Sequence, residues 1–275
     1  MKNLNPLFLI AFFIIAQLSF GQNKLSLEKG AKYEKTTETN STTTMSMMGQ
    51  DMEMVQKEKS TSILEIIAEK DDYFEFTNTL TAVQVNVEQM GQEASFDSTD
   101  EEDTLSPLAA AYEEHLNKER KVKINKEGKV IKPESEEAQD DLEEDFADAQ
   151  ENFSIFIALP EDLSIGKTWT ENQSLNTDEI ELISNRTYEI KSIEDNLITL
   201  NISGDISINQ DVINQGTQVK SKLSGNLMGK VIVDKNTHVV KSEESIAKME
   251  GNTHTAGMDI PMSVHTTTNT SIKEI

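Results

Sequence analysis

The sequence predicts a mainly β protein with minor α content. Two related antiparallel β-sheet or half-barrel units are expected, with an acidic amphipathic helix packed across a sheet face. Three observations carry that expectation. Short runs of Ile, Val and Thr alternate with polar residues between Asn, Asp and Gly, as in Ile198, Leu200 and Ile202 against Thr199 and Asn201. One long segment switches to helical spacing. The landmarks of the first half then recur, in the same order, in the second.

In chain order, residues 1–21 read as a signal peptide. Lys2 precedes an unbroken apolar run of ten residues, Leu7 to Ala16, about half of the roughly 20 that cross a bilayer. Ser19-Phe20-Gly21 then sets small residues at −3 and −1 of a cut, so cleavage is expected after Gly21. No cysteine stands at that cut, which excludes a lipoprotein, and no later segment is apolar enough to span a membrane. The expected location is the periplasm or the outside of the cell.

Residues 22–132 form the first β unit, with a Met-rich hairpin over 45–54 and a short helix over 106–119. A turn centred on Gly49-Gln50-Asp51 sets Met47 opposite Met52 and Met45 opposite Met54. Thioethers there suit core packing, an adaptable ligand-contacting rim or Cu(I). Ser106-Pro107 supplies an N-cap and a first-turn proline ahead of LAAAYEEHLNKER. Over 133–160 the expectation is an acidic bridging helix: Leu142, Phe146, Ala149 and Phe153 form one apolar stripe, and Pro160 ends it. Residues 161–275 form the second β unit, where Tyr188, Ile190 and Ser192 share a strand face.

The repeat is the most specific signal. Leu27-x-x-Gly30-x-x-Tyr33 answers Leu163-x-x-Gly166-x-x-Trp169 at an offset of 136. Ile66 and the run Tyr73–Phe76 answer Ile190 and Leu197–Leu200 at 124, and Ile124–Ile131 answers Val233–Val240 at 109. The falling offset gives the first half about 12 and then 15 extra residues between landmarks.

With its SFGQ cut site, the L-x-x-G-x-x-aromatic opening, the central acidic stretch and the VDKNTHVV hairpin, the chain resembles a family of uncharacterised exported bacterial proteins, a domain of unknown function. That resemblance implies no catalytic residues. The layout more distantly resembles periplasmic lipoprotein-carrier-like half-barrels, in which helices cover a curved, apolar-lined sheet and some of which carry lipid.

Function classes narrow by exclusion. Against 25 Lys+Arg stand 49 Asp+Glu, a net charge of −24 that disfavours nucleic acid and anionic membrane surfaces as partners. Without cysteine there is no disulfide, zinc thiolate or cysteine nucleophile. No G-x-S-x-G, H-E-x-x-H, G-x-x-x-x-G-K-[ST] or G-x-G-x-x-G occurs, so neither catalysis nor a cofactor is expected. His254 and His265 could face each other across a hairpin centred near Asp259-Ile260, but two imidazoles only begin a metal site. They read as solvent-facing, and the runs Asp97–Asp103 and Asp140–Asp148 read as solvated charge.

The resulting expectation is an exported, non-enzymatic binding protein of the bacterial envelope. A lipid or other apolar ligand would lie between sheet and helix, lined by Leu64, Ile66, Phe74, Phe76, Ile190 and Leu200. Met45, Met47, Met52 and Met54 would form the rim. The alternative is an envelope interaction or scaffolding protein with a solid core and a protein partner; copper at the Met-rich hairpin is a third reading.

Overall fold

The computed structural model describes residues 25–47, 49–100, 106, 108–113, 115–126, 128, 131, 155–176, 180–214 and 217–275. The expected signal peptide, the acidic run Asp140–Asp148 and nearly all of the expected 133–160 helix lie outside the described residues. The first half contributes β1 (Lys32–Met47), β2 (Gln50–Glu69), β3 (Tyr73–Gln89), β4 (Gln92–Asp97), α1 (Ala109–Glu113) and β5 (Glu119–Asn125). The second contributes β6 (Thr168–Asn176), β7 (Ile180–Glu194), β8 (Leu197–Asn214), β9 (Thr217–Asp234), β10 (Val240–Thr255) and β11 (Met258–Glu274).

All eleven strands belong to one open antiparallel sheet, ordered β4-β3-β2-β1-β11-β10-β9-β8-β7-β6, with β5 beside β4 along β3. The two related units are therefore not separate sheets. The last strand pairs with the first, from Tyr33↔Glu274 to Met45↔Met262, which satisfies backbone groups that two separate units would each leave on a bare edge.

The repeat is visible in the backbone. Gly30 and Gly166 sit at φ +88 and +86, a region that glycine enters without steric cost. Gly30 N donates to Ile66 O at 2.7 Å and Ile66 N to Ala31 O at 3.0 Å; Gly166 N donates to Ile190 O at 2.8 Å and Ile190 N to Lys167 O at 3.0 Å. Both strands then bulge, at Ile66/Ala68 and at Ile190/Ser192. The second bulge corrects one strand face. It is Ile193, opposite Ile198, and not Ser192 that continues the face of Tyr188 and Ile190. The extra residues are also accounted for. The first 12 lengthen the β1–β2 hairpin outward to its methionines, and the next 15 are the excursion through α1 that splits the counterpart of β9 into β4 and β5.

The core fills one end of the sheet. Leu64, Ile66, Phe74, Phe76, Ile190 and Leu200 are all at 0% exposure. They close around two crossing segments, one carrying Leu25 and Leu27, the other Ile155 to Leu159. The second of these corrects the end of the acidic helix. Ile155 to Leu159 runs as an extended plug, with Phe156 bridged antiparallel to Val239 and Val240 N bonded to Ile155 O at 2.8 Å. Five consecutive buried apolar residues have no polar face to offer water, so a surface helix cannot use them.

The plug also shows how strongly the sheet bends. Five strand spacings separate β5 from β10, about 24 Å if the sheet were flat. Phe156 nonetheless pairs beside β10, and its Cβ would lie 3.6 Å from a side chain at Gly128, just past β5. Its ring sits 5.5 Å from that of Phe76.

Glycines permit the bend in the second half. A Cβ on Gly204, Gly225 or Gly251 would fall 1.9, 1.8 or 1.9 Å from the carbonyl oxygen of Asn185, Lys248 or Lys222 on the neighbouring strand. These residues share the face of the core, so that face is the inside of the curve. The other face carries exposed Lys57, Lys59, Lys222, Lys230, Glu244 and Lys248. Among the described residues that face is mainly polar, with Ile183, Met228 and Ile246 exposed on it. No described helix is long and apolar enough to cross a membrane.

The helix expected over 106–119 is shorter, Ala109–Glu113. It lies over β3 and β4, with Ala109 among Val83, Val85 and Phe96. Tyr112 stacks on Phe96 at 5.9 Å and donates to Glu58 at 3.1 Å. Asn117, at φ +59, turns the chain onward to β5.

The β9–β10 hairpin holds a buried imidazole. Asp234 accepts from the amides of Asn236 and Thr237, both at 2.9 Å. Burial raises its pKa, but these bonds outweigh that and hold the carboxyl below its ordinary value. His238 follows at φ +61, 2% exposed, its Nδ1 without a hydrogen-bond partner among the described residues. Burial lowers its pKa below the ordinary 6.5, against the pull of Asp234. A depressed folded-state pKa contributes stability above the unfolded value that is lost as pH falls. The thermal midpoint should therefore drop between about pH 7.5 and 5.5. His238→Asn, which tolerates the left-handed backbone, should flatten that drop in a calorimetric pH series; an unchanged slope would contradict the assignment.

Candidate functional site

Beyond the plug the strands continue as a trough whose inner face is set by two-residue alternation. On one wall Leu182 opposes Ile208, which opposes Leu223, and Ile206 opposes Gly225. Toward the other wall Met249 opposes Val264 and Val264 opposes Thr43. Leu182, Ile206, Ile208 and Val264 are half-buried, whereas Leu223 and Met249 are buried. Between the walls runs a hydroxyl strip on β1 and β11, where Ser41 and Thr266 lie 3.0 Å apart and Thr37 and Thr270 3.3 Å.

An ionic belt marks the passage from solid core to trough. Arg186 Nη1 lies 3.8 Å from Glu243, both largely buried. Burial and the nearby Glu171 carboxylate raise the pKa of the Tyr188 hydroxyl, keeping it protonated at all ordinary pH. Arg186 Nε has no hydrogen-bond partner among the described residues. At the core end, burial and Glu274 push Tyr33 up to about 12.

The ten sequence-predicted lining residues do not form one site. Leu64, Ile66, Phe74, Phe76, Ile190 and Leu200 pack into the filled core. Met45, Met47, Met52 and Met54 lie at the opposite end, ten residues along β2 from Leu64 to Met54, a run of about 33 Å. What joins them is the shared inner face.

The hairpin registers also differ from expectation. The Met-rich hairpin turns earlier than expected, with Gly49 at φ +80. Met45 therefore opposes Met52, and Met47 opposes Gln50. Two-residue hairpin loops match the twist of their strands when the loop backbone takes positive φ, and the partner of Met45 is Met52 in place of the expected Met54. The last hairpin turns at Ala256-Gly257, φ +49 and +78, three residues before the expected centre. His254 thus opposes Asp259, Nδ1 to carboxylate 2.8 Å, while His265 opposes Lys248 and Thr42. The two imidazoles do not meet. Among the described residues no three His, Cys, Asp or Glu side chains gather as a metal site.

Two grooves, of about 350 and 460 Å³, are open and lie mainly against the outer face. Ile183 and Ile206 line the first beside Asn185, Asp205 and Asn226, and Pro261 and Met262 the second beside Thr44, Ser46 and Glu250, so each mixes apolar and polar surface. The inner trough contributes the residues that sequence reasoning missed: Ile206, Ile208, Leu223, Met249 and Val264. Their alternation was legible, but only register shows that it continues past the core.

The sequence matches DUF6263, a family of unknown function, over residues 71–138 and 135–240, together more than half of the chain. The chain belongs to that family. No curated protein matches it. Among solved structures, this DUF6263 chain is similar to lipovitellin, in a structure describing lipid–protein interactions. The TM-score is 0.53 at 10% identity, over 90% of this chain and 25% of that one. The chain thus spans about a quarter of lipovitellin's length, and the likeness is one of fold. An outer membrane channel from Pseudomonas putida F1 aligns over 91% of this chain and 98% of that one at 8% identity, with a TM-score of 0.26, too low to define a shared fold.

Proposed function

We propose that this DUF6263 protein is an exported, non-enzymatic binding protein that holds a lipid or other apolar ligand along the inner face of its bent sheet. One observation carries the reading. Half-buried Ile206, Ile208, Leu182 and Val264 extend the inner apolar face beyond the plug, while the outer face of the same strands is mainly polar, with Asn185, Asp205, Ser207, Asn209 and His265. A sheet that needed only a core would have no use for that extension. The lipovitellin likeness supports it, since that structure is described by its lipid–protein interactions. The leader-like pattern at residues 1–21 supports export.

The test is a titration of organic-solvent-extracted, refolded protein with a fluorescent fatty acid. Ile208→Glu sets a carboxylate against the apolar wall and should weaken uptake by about tenfold or more. Ile246→Glu, on the outer face, should leave it unchanged. No uptake by the parent protein, or equal loss in both variants, would overturn the reading.

The filled core favours a second reading, an envelope scaffolding protein. Leu64, Phe76 and Leu200 are at 0% exposure and leave no void for cargo there. A stable protein partner in the absence of any lipid uptake would select it.

A further inference from the structure

We propose that the outer end of the sheet is a thioether site for a single Cu(I) ion. The proposal stands apart from the apolar-ligand reading. Met52, Met45 and Met262 lie directly side by side on β2, β1 and β11, each in register with the next. Neighbours in such a row have Cβ atoms about 5 Å apart, and each sulfur sits on a flexible stem two bonds further out. Three thioethers can thus converge on one ion without any backbone movement. Three-strand adjacency was not legible in the sequence, because Met262 is brought in by the pairing of the last strand with the first.

Alternation also sorts the donors. Met45, Met47, Met52, Met54, Met249 and Met262 all fall on the inner face. The nearby hard or borderline ligands, Asp51, Glu53, His254, Asp259 and His265, fall on the outer one. The cluster therefore offers neutral soft sulfur with no imidazole or carboxylate beside it. That set suits Cu(I) and is poor for Zn²⁺, Cu²⁺ or Ca²⁺.

The surroundings hold one sulfur in place. The Thr253 hydroxyl donates to Met262 Sδ at 3.4 Å, so Ser221, 2.9 Å from that hydroxyl, donates to it in turn. Such outer contacts fix a ligand's orientation. Opposite Met262 stands Gly251, which brings no side chain of its own to the thioether.

Thioethers carry no proton to displace. Cu(I) binding here should therefore release none and be independent of pH, unlike binding to His or Cys. The experiment is an anaerobic titration of the purified chain with Cu(I) against a chromophoric Cu(I) chelator, with X-ray absorption of the loaded protein. One Cu(I) per chain with a sulfur-only shell is expected, with affinity unchanged from about pH 5.5 to 8. Met45→Leu removes the central donor while conserving volume. It should cost at least the roughly 10–100-fold typical of losing an outer-shell partner. Met228→Leu, on the outer face of β9 and 55% exposed, should bind as the parent does. Circular dichroism checks each fold, and Met262→Leu replaces Met45→Leu if the latter misfolds. No copper retained by the folded parent, full affinity in the Met45→Leu or Met262→Leu protein, or a nitrogen or oxygen shell would each overturn the proposal.

Discussion

Gly225→Ala should destabilise the protein by about 3 kcal/mol or more, at or beyond the upper end of ordinary overpacking. The added methyl would stand 1.8 Å from Lys248 O and 2.7 Å from Met249 Cα, both backbone atoms of β10. No rotamer can relieve that contact; β9 and β10 must separate or flatten. Gly49→Ala is the matched control. It meets nothing within 4 Å and bears only the cost of φ +80, about 1–2 kcal/mol. Urea unfolding of the two variants distinguishes them. Equal losses would mean that glycine at 225 serves chain entropy and not the close approach of strands.

Phe156→Ala should cost about 3–5 kcal/mol, the usual range for removing a buried aromatic ring. The ring is 7% exposed and lies 5.5 Å from Phe76, while its backbone bridges Val239. The substitution leaves the backbone bridge in place and removes only the side chain joining the two flanks of the bent sheet. A loss below about 1 kcal/mol in the same urea series would show that the sheet keeps its curvature without the plug.

Much of the architecture was legible. The recurrence of Leu27-x-x-Gly30-x-x-Tyr33 as Leu163-x-x-Gly166-x-x-Trp169 names residues that make the same hydrogen bonds in both halves. Local turn geometry needs glycine there, so spacing in the chain records spacing in the fold. The pairing of β1 with β11 was not legible, since it joins residues more than 200 positions apart through backbone groups that every sequence has.

The run Ile155 to Leu159 reads in sequence as the end of a helix because it follows helix-forming residues, and periodicity cannot tell a short apolar helix end from a buried extended segment. The methionine pairing differs from expectation by two residues and the histidine pairing by six, because the position of the turn, and not composition, sets register. The candidate trough was half legible. The inward apolar residues could be read off each strand, but the bend that brings their walls together rests on glycines whose closeness to Asn185, Lys222 and Lys248 appears only in three dimensions.

The central claim is that apolar cargo lies on the inner face past the plug. Photolabelling the protein with a diazirine-bearing fatty acid, then mapping the adducts by mass spectrometry, tests it most directly. Adducts should concentrate on inner-face residues of β7, β8 and β11, among them Leu182, Ile206, Ile208 and Val264. Adducts centred instead on outward-facing Ile183 and Ile246, or spread without preference between the faces, would contradict it.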